Sequence, residues 1–374
     1  MAKIKLGIIG IGTMAKSHLE SAHSSDRVTL SCVCDVDKQR ADDAAKRYGV
    51  PAYYDYHDLI EKSGVEAIII ATPHYYHTPI SIDAMNAGIH VLVEKPIAVH
   101  AKDASKMIRA YAAAKSKKRD LVFAAMFMQR TYGYWKKIKE MIDGGQVGKL
   151  VRTSWIITDW YRPQVYYDTG DWRATWAGEG GGVLLNQCPH NLDLYQWLVG
   201  MPKRITGFAS LGKYHTIEVE DEVTAYFEHP DGMVGHFITT TAESPGTNRL
   251  EIVGENGKLV FENGELSFFK NAKSMLEDIR TSKERFGKVP NDRINVEFVH
   301  HGEPGHRLVI ENFAGAIRGT EKLIAPAGDG YNSVVLANAI MLSSFTGHPV
   351  ELPLDEEAYA QRLQELVASS PLKA

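Results

Sequence analysis

Apolar and polar positions follow two alternating periods along the first third of the chain. Short apolar runs at residues 3–9, 28–34, 67–71, 89–93 and 121–126 are separated by segments at 14–24, 38–48, 79–87 and 101–115 whose apolar positions recur every three or four residues. Runs apolar throughout belong to strands covered on both faces, and strands interleaved with helices predict a parallel sheet of βαβ units. Gly49 with Pro51 beyond it closes the second of these helices, and Gly88 closes the third.

From about residue 129 the pattern changes. Alternating segments at 224–227, 234–240 and 249–253 predict an antiparallel sheet with one covered face, and Glu262-Asn263-Gly264-Glu265 predicts a tight hairpin within it. Helical periodicity returns at 307–318, 334–344 and 354–366. The fold class read from this is α/β in two domains, 1–128 and 129–374. No repeat or low-complexity linker separates them, so they should pack closely.

Composition narrows the class. The 374 residues are 44% hydrophobic and 24% charged, ordinary globular values, and a net charge of -4 supplies no footprint for nucleic acid. The basic stretch 115–119 reads as a solvated helix end. No apolar run reaches the ~18 residues of a membrane span, and the apolar N-terminus runs into a glycine motif without a cleavage-site pattern, so it reads as a first strand. Of three cysteines, Cys32 and Cys34 would point to one face of a strand in geometry unsuited to a mutual disulfide. A reducing, cytoplasmic location is expected.

The first predicted strand ends in Gly10-Ile11-Gly12-Thr13-Met14-Ala15, and a helix follows. Glycines there permit a tight turn and the approach of a pyrophosphate to the backbone, and Ala15 permits close helix packing. Asp35 closes the second strand, where a carboxylate would accept hydrogen bonds from the adenosine ribose hydroxyls and repel a 2′-phosphate. NAD is therefore favoured, with NADP possible because Arg40 lies nearby. Asp37 suits the role of cap for the next helix.

Glu94-Lys95-Pro96 stands where the fourth core strand runs out, and open α/β sheets bind ligands beyond their carboxyl strand ends. Lys95 is thus a catalytic candidate. Thr72-Pro73 with His74 and His77 ends the third core strand, placing a nicotinamide or substrate contact there. The two histidines have ligand-like spacing, but no carboxylate or cysteine cluster accompanies them and no metal is expected.

Farther on, Gly180-Gly181-Gly182 leads into Asn186 and His190, four apart and expected on one helix face, with Asp193 a turn beyond. An imidazole there suits removal of a hydroxyl proton near neutral pH. Trp155, Trp160, Trp172, Trp176, Tyr161, Tyr166 and Tyr167 crowd residues 155–176, as sugar stacking or inter-domain packing would both require. No nucleophile-elbow serine is present.

Taken in order, Gly10 to Ala15, Thr72-Pro73 with His77, Glu94-Lys95-Pro96, Asp171-Trp172-Arg173, the segment 180–193 and the closing Gly347-His348-Pro349-Val350-Glu351-Leu352-Pro353 resemble the glucose-fructose oxidoreductase, inositol dehydrogenase and MocA (Gfo/Idh/MocA) family. The resemblance implies a Rossmann NAD(P)-binding domain followed by an α/β domain with a large, mostly antiparallel sheet whose open face serves a homodimer or homotetramer. It implies that Lys95 touches nicotinamide ribose and substrate, that His190 is the acid/base with Asn186 beside it, and that Trp172 and Arg173 reach the cofactor side. Expected cofactor contacts are Gly10, Gly12, Thr13, Met14, Asp35, Thr72, Pro73, His77, Glu94, Lys95, Trp172 and Arg173. Asn186 stands where inositol dehydrogenase-like members carry aspartate. The expected activity is reversible NAD-dependent oxidation of a secondary ring hydroxyl of a sugar, glycoside or cyclitol. Redox-neutral glycoside cleavage with retained NAD, or nucleotide sensing without turnover, remain alternatives.

Overall fold

The structure is a computed structural model describing residues 2–170, 172–300 and 302–371. Its first sheet is parallel throughout. The strands are β1 (Ile4–Ile9), β2 (Val28–Cys34), β3 (Ala52–Tyr53), β4 (Ala67–Ile70), β5 (His90–Val93) and β6 (Phe123–Ala125), in spatial order β3-β2-β1-β4-β5-β6. Helices α1 (Ala15–His23), α2 (Lys38–Tyr48), α3 (Tyr56–Lys62), α4 (His77–Asn86) and α5 (Ala101–Lys117) connect them. The order reverses between β1 and β4, so the loops leaving these strands diverge and open a crevice at their carboxyl ends.

After α6 (Gly133–Asp143) the chain builds a mixed, mostly antiparallel sheet. It contains β7 (Leu150–Ile157), β8 (Arg204–Leu211), β9 (Glu220–Glu228), β10 (Val234–Thr240), β11 (Asn248–Gly254), β12 (Gly257–Glu262), β13 (Glu265–Asn271), β14 (Asn291–Asn295) and β15 (Val350–Glu351). Its one parallel pair among the described residues is β10 with β7. The remaining helices are α7 (Gln164–Tyr167), α8 (Pro189–Val199), α9 (Met275–Thr281), α10 (His306–Ile317), α11 (Ala327–Thr346) and α12 (Glu356–Ser369).

Helix α11 packs on this sheet so closely that a Cβ at Gly207 of β8 would sit 2.4 Å from the Ile340 oxygen. Strand burial alternates accordingly: Ile205, Val223, Ala225, Phe227 and Phe237 face the core. On the other face Phe208, Thr224, Ile238 and Ile156 lie side by side across four strands, and Phe208 is 66% exposed.

Asn263 and Gly264 both take positive φ between β12 and β13, as a two-residue Asn-Gly hairpin requires. Asp37 caps α2 through the Gln39 and Arg40 amides. Periodicity missed α3 and β3 because each is short, and it placed the start of α11 seven residues late because Ala327–Tyr331 carries small and polar residues. Helix α10 leaves the second sheet altogether. Its Val309, Ile310, Phe313 and Ala314 join Leu6, Ile8, Leu19 and Val28 in the core beneath the first.

Candidate active site in the crevice between the two sheets

The turn after β1 is built for close approach. Gly10 has φ +93°, and a Cβ there would lie 2.6 Å from the Ala71 backbone at the end of β4, whereas at Gly12 a Cβ would meet nothing. The Gly12 side is thus open to a ligand while Gly10 seals the turn against its neighbour. Thr13 and Met14 form the turn into α1, and Met14 is exposed. At the end of β2, the Asp35 carboxylate accepts the Ile11 amide at 2.7 Å and the Asp37 amide at 2.8 Å. Each oxygen keeps acceptor capacity for a further donor. Arg40 donates through Nε to Asp37 at 2.8 Å and stands 4.0 Å from Asp35, so its charge already faces two carboxylates.

The strand ends of β4 and β5 supply the next group. Main-chain oxygens of Pro96 and Thr72 lie 2.8 Å from the two ring nitrogens of fully buried His77. His77 therefore braces the two loops to each other, and neither nitrogen is free for the nicotinamide or substrate contact expected of it. Pro73 is exposed, and Thr72 holds a buried hydroxyl without a partner among the described residues. Glu94 is buried as well. One oxygen pairs with His18 Nε2 at 2.8 Å and the other accepts the Lys95 amide at 2.9 Å, so this carboxylate fixes the backbone that carries Lys95. Burial pushes its carboxyl up, but the His18 hydrogen bond and nearby positive charge outweigh that and hold it at about 2.

The second sheet's connections close over Lys95. Lys95 Nζ donates to the main-chain oxygen of Asn186 at 2.7 Å. Asn186 does not share a helix face with His190, because α8 begins only at Pro189 and residues 182–188 form turns. The reason lies in Glu220, whose buried carboxylate takes the Gly182 and Leu184 amides and ties the glycine segment to β9. Asn186 makes its side-chain bonds elsewhere: Nδ2 donates to Glu179, and Oδ1 accepts from the Tyr166 hydroxyl at 3.4 Å. Arg173 donates to that hydroxyl at 2.9 Å and stacks between the Tyr166 and Trp172 rings, 4.7 Å from each centroid. Trp172 in turn meets His74 edge-on. Asp171 lies outside the described residues.

His190 is buried, edge-on to Phe127, and its Nδ1 has no partner among the described residues. Burial first, then the Lys95 charge, pushes its imidazole down to about 3, and burial does the same to His74. Burial draws the Lys95 ammonium down too, against the pull of Glu94 and Glu179. Asp193, a turn beyond His190, is engaged elsewhere. It forms a buried two-pronged pair with Arg130, at 2.5 and 2.8 Å, which locks α8 to the segment after β6.

Trp155 and Trp176 turn out to be core residues, whereas Trp172 and Tyr166 border the site. Residues that the sequence did not single out are His18, Glu179 and His306. The partners of His18 and His306 lie far away in the chain, so no local spacing marked them, and Glu179 meets Ala174 and Asn186, five and seven residues away, in a turn segment that carries no periodic pattern. The ligand atoms of His18, Glu94 and His306 lie within 4.8 Å of one another, but the two Glu94 oxygens are already engaged, by His18 at 2.8 Å and by the Lys95 amide at 2.9 Å.

Comparison with known proteins agrees with this geometry. Residues 4–122 match an oxidoreductase family described by its NAD-binding Rossmann fold, and residues 135–260 match the GFO/IDH/MocA C-terminal domain. Inositol 2-dehydrogenase from Salmonella typhimurium is 27% identical over 95% of this chain and 99% of its own. Levoglucosan dehydrogenase from Pseudarthrobacter phenanthrenivorans is 25% identical over 70% of this chain and 74% of its own. Among solved structures, the WlbA dehydrogenase from Chromobacterium violaceum, in complex with NADH and UDP-GlcNAcA, superposes with a TM-score of 0.81 at 27% identity, covering 94% of this chain and 97% of that one. The open Gly12 side, the capacity left on Asp35 and the unpartnered Thr72 hydroxyl fit a dinucleotide laid across the crevice. The chain belongs to the Gfo/Idh/MocA family of oxidoreductases and binds NAD on its Rossmann domain.

Proposed function

We propose that this protein is a dehydrogenase that reversibly oxidises a secondary ring hydroxyl of a sugar, glycoside or cyclitol to a ketone. The observation that carries the reading is the convergence of Lys95 from the first sheet and Asn186 from the second, bonded at 2.7 Å beside a buried His190 with an unpaired nitrogen. The named activities of the inositol and levoglucosan dehydrogenases support the substrate class. Gly10, Gly12, Thr13 and Met14 would hold the pyrophosphate side, Asp35 the adenosine ribose, and Thr72, Lys95, Trp172 and Arg173 the nicotinamide side. When bound, the cofactor supplies the hydride acceptor at nicotinamide C4.

The chain's own part is binding and proton control. Lys95 stabilises negative charge developing on the substrate oxygen, and neutral His190 takes the hydroxyl proton. Trp172 and Arg173 cover the crevice and exclude water. Asp35 favours NAD over NADP, since its carboxylate would meet a 2′-phosphate. The row Phe208, Thr224, Ile238 and Ile156 serves a homodimer or homotetramer. None of the described helices is long and apolar enough to cross a membrane, and three free, buried thiols suit a cytoplasmic location.

The test is a screen of myo-inositol, scyllo-inositol, levoglucosan and methyl glucosides with NAD, following NADH absorbance. The expected result is NADH formed in step with a ketone. A glycoside cleaved while NADH fails to accumulate would replace this reading with the redox-neutral one, and tight NAD binding without any turnover would remove the enzyme reading.

A further inference from the structure

Asn186 puts an amide where the inositol dehydrogenase-like pattern has a carboxylate, yet the structure supplies a carboxylate one bond away. Glu179 is 2% exposed and holds two donors, Asn186 Nδ2 on Oε1 and the Ala174 amide on Oε2 at 2.7 Å. A carboxylate accepts only, so it dictates which end of the Asn186 amide faces it. The oxygen end is thereby turned toward the Tyr166 hydroxyl, whose own oxygen is occupied by Arg173 at 2.9 Å. At 3.4 Å the Tyr166 contact is long for a hydroxyl donor, and Asn186 is partly exposed, so Oδ1 keeps an acceptor position for an incoming group.

We propose that Glu179 is a positioning residue that fixes the amide of Asn186 with its oxygen presented as a hydrogen-bond acceptor for a substrate hydroxyl, so that Glu179 and Asn186 together do what a single carboxylate at position 186 would do. The substrate class this favours is a polyol with a second hydroxyl beside the one oxidised. The inference rests on the dehydrogenase reading for its substrate, and on geometry alone for the pairing.

The pairing makes a reciprocal prediction. In Glu179→Gln the new amide has one acceptor for two buried donors, so either the Ala174 amide or Asn186 Nδ2 loses its partner and Asn186 is free to flip. In Asn186→Asp two carboxylates face each other, and one must take up a proton. Combining the substitutions restores one amide and one carboxylate with every donor matched. Each single variant should lose roughly 10- to 100-fold in kcat/KM on whichever screened alcohol the wild-type protein oxidises best, the size of a lost buried hydrogen bond. The double variant should return to within about threefold of the wild-type value, well short of the product of the two single losses.

A double variant as impaired as that product would overturn the proposal, as would an unchanged Glu179→Gln, or a double variant that fails to fold. Recovery of folding in the double where a single variant is insoluble counts as rescue. If the wild-type protein oxidises none of the alcohols, the dehydrogenase reading fails, and the pairing is judged by infrared difference spectra alone. A protonated-carboxyl band should then appear in Asn186→Asp and vanish in the double variant, and its absence from the single variant would overturn the pairing.

Discussion

Lys95 Nζ donates to the main-chain oxygen of Asn186 across 91 residues of sequence, at 2.7 Å, and this bond joins the end of the parallel sheet to the glycine segment of the second sheet. Glu94 holds the Lys95 amide from below and Glu220 holds the glycine segment from behind, so both partners are fixed by buried carboxylates. A lysine held this way meets a substrate oxygen already oriented. Lys95→Ala and His190→Ala should each lower kcat by at least the roughly 10²- to 10⁴-fold expected for removing a positioned acid-base group. NADH binding, followed by fluorescence, should persist in both. Near-normal turnover in Lys95→Ala would dismiss the assignment.

Asp35 bears on cofactor choice. Arg40 is engaged by Asp37 and Asp35, so it is poorly placed to offset repulsion of a 2′-phosphate. Wild-type protein should bind NAD more tightly than NADP by calorimetry, and Asp35→Ser should narrow or reverse the ratio. Tighter binding of NADP by the wild-type protein would contradict the argument.

Trp172 distinguishes a cleft role from a packing role. It is half-buried, and its neighbours are the Arg173 guanidinium and His74 rather than the apolar core. Trp172→Ala should reduce kcat/KM at least tenfold, about 1.4 kcal/mol of transition-state binding, while the melting temperature falls by only a few degrees. A large loss of stability with unchanged kcat/KM would assign Trp172 to packing.

Acid should destabilise the protein partly through His190. Burial and Lys95 hold its folded-state value at about 3, below the ordinary value of roughly 6.5. Between these limits the unfolded chain binds a proton that the folded chain does not. The stability contributed by neutral His190 is therefore complete above about pH 6.5 and is lost as pH falls toward 3, at up to about 1.4 kcal/mol per pH unit. Urea unfolding at pH 7 and pH 5 should show a pH-dependent loss about 2 kcal/mol smaller in His190→Gln than in wild type. Equal losses would show that His190 is not held neutral.

The exposed row on the second sheet should cover itself by association. Phe208 is 66% exposed beside Thr224, with Ile238 and Ile156 continuing the row. Phe208→Glu would place charge on the most exposed apolar side chain of this row, and light scattering should report a smaller species than wild type. A monomeric wild-type protein would exclude this face as an interface.

Local pattern carried the first sheet. Strands such as 67–70 and 90–93 are apolar throughout because both faces are covered, and a glycine or proline marks each end, so β1, β2, β4 and β5 and the helices α1, α2 and α4 could be read within a residue or two. The glycine turn, Asp35 and Lys95 were legible for the same reason, since each stands at a strand end whose place in a parallel sheet is set by the βαβ order. Asn186 could be named but not placed, because periodicity continued a helix through a segment that Glu220, 34 residues away, pulls into turns through its hydrogen bonds to Gly182 and Leu184. Glu179, His18 and the Arg130 partner of Asp193 carried no signal at all. His18 and Arg130 gain their significance from partners in distant parts of the chain, and Glu179 gains its own from a buried turn that brings Ala174 and Asn186 onto its carboxylate, since burial of a charge obliges it to find a partner wherever the fold brings one. The sequence by itself determined the α/β class and the strand ends where chemistry could occur, since both follow from short-range periodicity. Only the tertiary structure decided which polar groups complete one another there, because those hydrogen bonds depend on burial and on loop geometry that no short-range period encodes.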